Sequence, residues 1–401
     1  SWDNFKNNKT NIIYISPERL MSEIILDNLL SMEIGLFIID EIHCVSKWGQ
    51  SFRPDYEKLS KLKILFPNAN IAGFTATADK TTRLDILQKI FQNDAETFIK
   101  GFDRPNLSLS INQKTNWNSQ LLTFLNVRKG QSGIIYCLSR KKTEEVSSFL
   151  NKNGFYSNAY HAGLDGSIRN DIQNTFMTET AHIVVATIAF GMGIDKPDIR
   201  FVIHLDLPSS MESYYQEIGR AGRDGKPSDT LLIYGLNDLF IRRKMIEESD
   251  TDLEYKLNEH KRLDYLLSYC ESPECRRKTL LSYFDDISDN CKNCDNCMNP
   301  PKLIDGTILA QKLLSTIFRT GQFFGQAHVI NVLRGSEDKK VMERGHNNLS
   351  VYGIGKDKSN IFWRSFLRQL LAFGHLHINF QKFGAIQITE SGVKILKEQI
   401  K

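Results

Sequence analysis

Two adjacent carboxylates, Asp40 and Glu41, directly follow the apolar run LFII and are the first residues in the chain whose arrangement suits chemistry. At the carboxyl end of a strand, one carboxylate can hold a Mg²⁺ ion that bridges nucleotide phosphates, while the other orients or deprotonates the attacking water. An Asp-Glu pair can also simply cap the helix that follows a strand. The hydroxyl-rich turn GFTATA, residues 73–78, favours the catalytic interpretation, because it lies at another predicted strand end and could link a nucleotide site to a neighbouring domain.

The segment SYYQEIGRAGRDG, residues 213–225, carries a glutamine and two arginines at regular spacing. In a helix, Gln216 and Arg220 are four residues apart and Arg223 follows three residues later, so all three would project from one face. Two guanidiniums on one face suit the charge that develops on a transferred phosphate, delivered across a cleft as arginine fingers. A surface helix held by salt bridges is the alternative.

Glycines are concentrated in ATIAFGMGID, residues 186–195, directly after a predicted buried strand. Glycine lets the backbone approach a ligand or a partner domain closely. This segment, which includes Gly193 and Asp195, is therefore predicted to lie close to a ligand or to a partner domain.

Three of the seven cysteines follow one another at C-x2-C-x2-C spacing: Cys291, Cys294 and Cys297. Thiolates at such spacing can surround a tetrahedral Zn²⁺ ion, and either Cys275 or Cys270 could supply the fourth ligand. The start of the chain has no export signal, so zinc binding is favoured over disulfides. The two remaining cysteines are predicted to be buried thiols: Cys44 and Cys137.

The elements that position these residues follow two strand–helix rhythms, each of which predicts a parallel sheet with helices on both faces. The first has predicted strands NIIYIS (11–16), LFIID (36–40) and NIAGF (70–74). The second begins near residues 101–105 and has predicted strands GIIYC (133–137), NAYHAG (158–163), HIVVAT (182–187), FVIHLD (201–206) and TLLIYG (230–235). Parallel sheets bind ligands at the carboxyl ends of their strands, which is where Asp40 and Glu41 lie.

The last part of the chain is mainly helical. Residues 238–275 are charged and helical, and the turn-forming segment NPPKLIDG, residues 299–306, marks a boundary. Beyond it, three helical stretches and a β-hairpin predict a winged helix. Its third helix and its hairpin tip carry two pairs of candidate contact residues: Arg364 with Arg368, and Lys382 with Phe383.

Composition sets only broad limits. A length of 401 residues predicts roughly two to four domains. The net charge of +4 permits nucleic-acid binding without arguing for it. No apolar run approaches the about 18 residues that a membrane span needs, so we expect a cytoplasmic protein, associated with the nucleoid if the source is bacterial.

Several motifs together resemble the superfamily 2 DNA helicases of the RecQ family: SPERL (16–20), DEIH (40–43), HCVSKWGQSFRPDY (43–56), GFTATA (73–78) and QEIGRAGRDG (216–225). The resemblance implies an ATP-dependent DNA helicase with 3′ to 5′ polarity that acts in recombination and repair, with ATP, Mg²⁺ and structural Zn²⁺ as cofactors. It implies catalytic roles for Asp40, Glu41, His43, Gln216, Arg220 and Arg223. It implies nucleotide binding by Asp40, Gly193, Asp195, Arg220 and Arg223.

The resemblance also implies how DNA is bound. Trp48, Phe52 and Arg53 would couple single-stranded DNA binding to ATP hydrolysis, which agrees with the stacking of aromatic faces on bases and with the pairing of arginine with phosphate. Core anchoring is the alternative for the two aromatic residues. In the winged helix, four residues would grip duplex DNA or act at the strand junction: Arg364, Arg368, Lys382 and Phe383. A winged helix that contacts only proteins is the alternative.

Further expectations concern ligands and partners. Arg276 and Arg277 after Cys275 match the zinc module of the family, which favours Cys275 over Cys270 as the fourth ligand and implies a role in folding stability. The expected partners are single-stranded and duplex DNA or DNA junctions, with a single-stranded DNA-binding protein as a candidate. No membrane partner is expected, and the sequence leaves the oligomeric state open.

The resemblance implies an α/β fold with four domains. An incomplete first RecA-like domain (1–102) and a complete second one (103–237), both with parallel sheets, precede a helical zinc-binding subdomain (238–304) and a winged helix (305–401). The family's phosphate-binding run G-x-x-x-x-G-K-[ST] does not occur in residues 1–401. We therefore expect the carboxyl-terminal part of a longer helicase, with unpaired strand edges and exposed apolar faces in its first sheet and no ATP hydrolysis by this chain alone. The alternative is an ATPase-deficient DNA-binding module that holds DNA junctions.

Overall fold

The computed structural model describes residues 2–7, 9–46, 53–191, 194–379 and 384–399. The chain divides into two compact units, one made of residues 1–103 with 281–287 and the other of residues 104–280 with 288–401. Each unit contains a parallel sheet of its own.

The first unit has a small parallel sheet surrounded by short helices. Strand β1, Leu36–Ile39, pairs in parallel with β2, Asn70–Gly73. The helices are Trp2–Lys6 (α1), Pro17–Leu20 (α2), Glu23–Leu30 (α3), Pro54–Glu57 (α4), Leu62–Leu65 (α5) and Lys80–Phe91 (α6), with 3₁₀ turns at Ile42–Val45 and Lys58–Lys61. Two of the three strands predicted for this region are thus confirmed, and their carboxyl ends lie side by side.

The prediction of a strand at NIIYIS is wrong. The described residues there form no strand, and Ile12 and Tyr14 are 75% and 96% exposed. Leu36 and Ile38 on β1 are exposed as well, because no described element covers that side of the strand. The exposed apolar strand surface that the sequence predicts is therefore present.

The second unit contains a six-stranded sheet in the order β3-β8-β7-β4-β6-β5, in which every pairing is parallel. The strands are Leu107–Gln113 (β3), Gly133–Tyr136 (β4), Ser157–Tyr160 (β5), Ile183–Ala186 (β6), Phe201–His204 (β7) and Ser228–Tyr234 (β8). The helices between them are Trp117–Asn126 (α7), Arg140–Lys152 (α8), Gly166–Thr178 (α9) and Met211–Ile218 (α10). All five strands predicted for this sheet are confirmed, and β3 is an additional edge strand.

Local sequence explains these elements. The strands β4, β6 and β7 are buried along their whole length, as expected for central strands covered on both faces. Three of the following helices begin at polar residues whose side chains accept a bond from the first turn: Asn116, Ser139 and Ser210.

A buried histidine lies where β6 begins. The Nε2 atom of His182 is 2.7 Å from Oδ1 of Asn158, and the ring of Tyr156 stacks on the imidazole. Burial, assisted by the nearby Lys196 ammonium, lowers the pKa of His182 to about 4. The folded protein therefore keeps this side chain neutral.

The rest of the second unit is helical apart from one hairpin. The part of the chain that includes the cysteine-rich segment, residues 275–297, forms helices Leu236–Glu247 (α11), Leu253–Glu271 (α12), Arg276–Tyr283 (α13) and Asp295–Met298 (α14). They are followed by Thr307–Arg319 (α15), Gln326–Arg334 (α16), Lys339–Glu343 (α17), a 3₁₀ turn at His346–Asn348, Asn360–Ala372 (α18), the antiparallel pair Leu376–Asn379 (β9) and Ala385–Ile388 (β10), and Glu390–Leu396 (α19). The three main helices α15, α16 and α18 with the hairpin form the predicted winged helix. None of the helices in the described parts of the chain combines the length and apolar character needed to cross a membrane.

Candidate nucleotide, zinc and DNA sites

The segment DEIH leaves β1 in a conformation that turns its side chains toward the end of β2. Asp40 is exposed, and its Oδ1 atom accepts a bond of 2.9 Å from the backbone N–H of Glu41. Glu41 itself has φ +50°, in the left-handed region that non-glycine residues adopt at turns. The strand thus ends abruptly at Asp40 and Glu41.

His43 joins this turn to the hydroxyl-rich turn after β2. Its Nδ1 atom lies 2.9 Å from Oγ1 of Thr75 and 3.3 Å from Oε2 of Glu41. The backbone N–H of Ile42 donates to the carbonyl of Phe74 over 3.0 Å, which holds the two turns together. The motifs DEIH and GFTATA, separated in sequence, therefore share one hydrogen-bonded cluster, as the parallel strands predict.

This cluster suits metal-nucleotide chemistry. Asp40 offers a carboxylate at the surface, and Mg²⁺ in proteins is typically held by one or two carboxylates together with waters and substrate phosphates. Oε2 of Glu41 lies 3.3 Å from Nδ1 of His43, so the imidazole is next to this carboxylate. The residues present thus fit a Mg²⁺–phosphate ligand, which the exposed carboxylate of Asp40 could contact.

Little of the predicted DNA-sensing segment can be described. Trp48 and Phe52 lie outside the described residues. Arg53 is exposed, its backbone N–H donates to the carbonyl of Cys44 over 3.0 Å, and its guanidinium carbon lies 6.0 Å from the ring of Tyr56. Arg53 is therefore available at the surface close to the DEIH turn.

The cysteines predicted to be buried thiols are buried. Burial raises the pKa of Cys44 to about 11, and burial also raises the pKa of Cys137. Both side chains stay protonated and behave as small apolar groups.

The prediction that Gln216, Arg220 and Arg223 share one helical face is wrong. Helix α10 ends at Ile218, so only Gln216 lies in the helix and both arginines follow in a turn. The turn closes at Gly222, whose φ of +56° stops helical continuation. We call residues 219–223 the arginine turn.

The two arginines nevertheless reach the same loop. The Nη1 atom of Arg220 donates to the carbonyl of Gly191, and Nη1 of Arg223 donates to Oδ1 of Asp195 over 2.7 Å. Gly191 must be a glycine, because a Cβ atom there would lie 2.5 Å from the guanidinium carbon of Arg220. The glycine-rich loop and the arginine turn thus form one cluster, although Gly193 lies outside the described residues.

Sequence reasoning missed a buried pair beneath α10. Nε2 of His204, at the end of β7, lies 2.6 Å from Oε2 of Glu217 on α10. The ring of Tyr136 stacks on His204, and its hydroxyl donates to the carbonyl of Phe190 over 3.1 Å. Glu217 lies inside the motif QEIGRAGR, which singles it out in the sequence. Its partner His204 lies on β7, and no sequence pattern connects the two residues.

A second missed group of charges lines a cavity of about 520 Å³ in the second unit. Nζ of Lys114 lies 2.9 Å from Asp206 and 2.7 Å from Asp238. Burial opposes the positive charge, but the two carboxylates outweigh it and raise the pKa of Lys114. No local motif signals this group, because its members are far apart in sequence.

The four cysteines predicted to bind zinc come together. The sulfur atoms of Cys275, Cys291, Cys294 and Cys297 all lie within 4.8 Å of one another. Tetrahedral Zn–S bonds of about 2.3 Å place sulfur atoms about 3.8 Å apart, and the Cys275 and Cys294 sulfurs are 4.0 Å apart. Among the described residues, Cys270 does not belong to this cluster, which resolves the choice of fourth ligand in favour of Cys275.

Backbone donors prepare the cluster for a metal ion. Burial opposes ionisation of Cys275, but N–H groups of Lys278 and Cys291 point at its sulfur and lower its pKa to about 7. The N–H of Arg276 donates to the sulfur of Cys294 over 3.4 Å. The chemistry of this donor set, four thiols with N–H groups directed at them, fits a structural Zn²⁺ ion.

The zinc cluster is attached to the edge of the large sheet. Oδ2 of Asp295 accepts a bond of 2.9 Å from the N–H of Ile111, and Cys294 forms an isolated β-bridge with Leu109. Nη2 of Arg277 donates to the carbonyl of Leu107 over 2.6 Å. Strand β3 thus connects the zinc cluster to the sheet.

The prediction that Arg368 contacts DNA is not supported by its position. Arg368 is only 4% exposed, and its Nε atom donates to Oε1 of Glu271 over 2.6 Å, an oxygen that also accepts from the Tyr234 hydroxyl. Arg364, one turn earlier on α18, is exposed. Lys382 and Phe383 lie outside the described residues. The guanidinium of Arg368 turns into the protein toward Glu271 at the end of α12.

Four family models match successive parts of the chain. They are the DEAD/DEAH box helicase model at residues 1–85, the helicase conserved C-terminal domain at 113–225, the RecQ zinc-binding model at 236–298 and the RQC domain at 300–401. Their order agrees with the order of the sites described above.

Curated relatives match almost the whole chain. The "ATP-dependent DNA helicase RecQ" of Haemophilus influenzae is 44% identical over 388 residues, which cover 96% of this chain and 62% of the relative. The protein of the same name from Bacillus subtilis is 35% identical over 391 residues, covering 97% of this chain and 66% of the relative. The "Putative ATP-dependent RNA helicase R290" of Acanthamoeba polyphaga mimivirus is 34% identical, with 96% of this chain and 73% of the relative covered. The chain thus spans less than two thirds of the length of the first two relatives.

Proposed function

Because the chain belongs to the RecQ family of helicases, we propose that it acts in an ATP-dependent DNA helicase that unwinds DNA with 3′ to 5′ polarity in recombination and repair. The observation that carries this proposal is the contact of both arginines in the arginine turn with the loop of residues 191–195. Guanidiniums grouped in this way are suited to bind the phosphates of a nucleotide during transfer.

In this proposal the DEIH cluster handles metal and water. Asp40 would hold Mg²⁺, which would supply positive charge to the nucleotide phosphates. Glu41 orients or deprotonates the attacking water. His43 holds Glu41 and Thr75 in register over 3.3 and 2.9 Å, so it acts as a positioning residue for the carboxylate.

The arginine turn acts on nucleotide phosphates. Arg220 and Arg223 stabilise the charge that develops during hydrolysis, and Gln216 and Gly193 complete the nucleotide contacts. Asp195 pairs with Arg223 over 2.7 Å, which holds this guanidinium at a defined place.

DNA contacts are assigned to three places. Trp48, Phe52 and Arg53 bind single-stranded DNA and couple its binding to hydrolysis. Arg364 binds a phosphate of duplex DNA or of a junction. Two residues of the hairpin tip act at the strand junction: Lys382 and Phe383. A single-stranded DNA-binding protein is a further candidate partner, and the proposed place of action is the cytoplasm, at the nucleoid if the source is bacterial.

Hydrolysis in this proposal needs a phosphate-binding loop, and residues 1–401 contain no G-x-x-x-x-G-K-[ST] run. We propose four domains with the boundaries 1–102, 103–237, 238–304 and 305–401, none of which contains this run. We propose that residues 1–401 alone do not hydrolyse ATP and that a nucleotide is held only when such a loop is supplied.

The test compares residues 1–401 with an extended protein. In the extended protein, the residues that precede the match in the Haemophilus influenzae relative are fused before Ser1. DNA-stimulated ATP hydrolysis is expected only in the extended protein. Glu41→Gln should abolish hydrolysis and leave DNA affinity unchanged, whereas the exposed Glu96→Gln should behave as wild type. Normal hydrolysis by Glu41→Gln would show that Glu41 does not act on the water.

A second candidate function is a DNA-binding module that holds junctions without ATPase activity. It is favoured by the packing of the large sheet, the zinc cluster and the winged helix in one compact unit. Residues 104–401 should then bind DNA in a salt-dependent way, and the extended protein should bind DNA without hydrolysing ATP. Failure of this fragment to bind DNA at low salt would exclude the second function.

A further inference from the structure

Arg104 directs its guanidinium at the backbone of the arginine turn. Its Nη1 atom donates to the carbonyl of Gly219 over 3.1 Å, and its Nη2 atom donates to the carbonyls of Ala221 and Gly222 over 2.9 and 3.0 Å. One side chain thus satisfies three carbonyls that flank Arg220 on both sides.

Asn106 closes the same turn. Its Nδ2 atom donates to the carbonyl of Gly222 over 2.8 Å and to that of Lys226 over 2.9 Å. A Cβ atom on Gly222 would lie 2.5 Å from this Nδ2 atom, so glycine is required for the contact as well as for the positive φ. Arg104 and Asn106 precede β3 in sequence, whereas the turn they hold follows α10.

The physical effect of these bonds is to fix the backbone of a turn that lies beyond the end of α10. Helix α10 ends at Ile218, so the carbonyls of Gly219, Ala221 and Gly222 lie outside the helix. A buried or half-buried carbonyl without a partner is costly. The guanidinium of Arg104 provides donors for these three carbonyls.

We infer that Arg104 is a positioning residue for the phosphate-contacting arginines of this protein. By fixing residues 219–222, Arg104 aims the side chains of Arg220 and Arg223 at the loop of residues 191–195. This inference rests on the proposed function of the two arginines. A misplacement of about 1 Å at a catalytic group can cost about a hundredfold in rate, so loosening this turn should act mainly on turnover.

The test measures ATP hydrolysis by the extended protein. Arg104→Ala should lower kcat roughly 10- to 100-fold and change KM for ATP by less than about threefold, because the arginines contribute mainly in the transition state. Arg104→Lys should recover part of kcat, since an ammonium can still bond one or two of the three carbonyls. The matched control is Arg128→Ala, which removes a guanidinium that donates to Phe124 and Asp229 elsewhere in the second unit and should leave kcat unchanged.

A triple variant separates positioning from an independent role. If Arg104 acts through Arg220 and Arg223, then adding Arg104→Ala to the double variant Arg220→Ala with Arg223→Ala should cause little further loss of kcat. A multiplicative loss in the triple variant, or wild-type kcat in Arg104→Ala, would overturn the inference. Wild-type hydrolysis by Arg220→Ala would instead contradict the proposed function, so the two failures are distinguishable.

Hydrogen exchange provides a readout that does not need hydrolysis and applies to residues 1–401 as they are. In Arg104→Ala and Arg104→Lys, the amides of residues 219–223 should exchange at least about tenfold faster, while those of β6 and β7 keep their wild-type protection. Unchanged exchange in the arginine turn would overturn the inference.

Discussion

The burial of Arg368 gives the most discriminating prediction about the winged helix. Its side chain and that of Glu271 are 5% and 7% exposed, and the pair joins α18 to α12. Burial opposes the charge on Arg368, but Glu271 outweighs it and raises the pKa of the guanidinium. Arg368→Met would leave the Glu271 carboxylate buried with one hydrogen-bond donor fewer. Breaking a buried pair from one side destabilises a protein by about 3–5 kcal/mol, which is the loss expected here.

The assay is urea unfolding of residues 1–401, followed through the transition of the second unit, with DNA affinity measured by fluorescence anisotropy on the folded protein. Arg368→Met should lower stability and leave DNA affinity unchanged. Arg364→Met, one turn away and exposed, should keep wild-type stability, weaken DNA binding and reduce the salt dependence of log affinity by about 1. The double variant Arg368→Met with Glu271→Gln should be more stable than Arg368→Met, because no unpaired charge is left.

The reasoning is refuted if Arg368→Met is as stable as the wild type and loses DNA affinity as Arg364→Met does. That result would mean that the guanidinium faces DNA and that the pair with Glu271 does not hold α18 on α12.

Three further predictions concern stability and metal content. His182 stays neutral when folded, with its pKa lowered to about 4, whereas the unfolded chain binds the proton below about pH 6.5. Stability should therefore fall by about 2 kcal/mol from about pH 7 to about pH 5, and urea titrations of His182→Gln should lack this part of the pH dependence. Elemental analysis should find about one Zn²⁺ per chain, and Cys294→Ser should lose it together with thermal stability. Gly133→Ala should lower the melting temperature, because its Cβ would lie 2.0 Å from the ring of Phe201, whereas Gly166→Ala meets no atom within 4 Å and should not.

The sequence predicted the large sheet well because its central strands are continuous apolar runs. Strand β3 was missed for a physical reason, since it lies at the edge of the sheet and alternates buried Leu107 and Leu109 with more exposed Ser108 and Ser110. In the first unit, the sequence instead predicted a strand that the described residues do not form. NIIYIS has the composition of a buried strand, but no described strand pairs with it. Composition indicates the capacity to form a strand, while pairing requires a neighbour.

In the candidate sites, too, the sequence predicted some contacts and missed others. The meeting of His43 with Thr75 follows from the rule that parallel strands bring their carboxyl ends together, so it was predictable. The course of the arginine turn was not, because helical spacing gives no warning that Gly222 adopts a positive φ. The burial of Arg368 was not predictable either, since a helical period identifies a face without saying what covers it.

The attachment of the zinc cluster to β3 has a consequence for self-association. An edge strand normally presents free N–H and C=O groups to which a strand of another molecule can add. In β3, the outward groups at three alternating positions are occupied by the cysteine-rich segment: the carbonyl of Leu107, the bridge at Leu109 and the N–H of Ile111. The cysteine-rich segment therefore shields this sheet edge, and chelation of the metal should make the protein prone to edge-to-edge aggregation before the sheet itself unfolds.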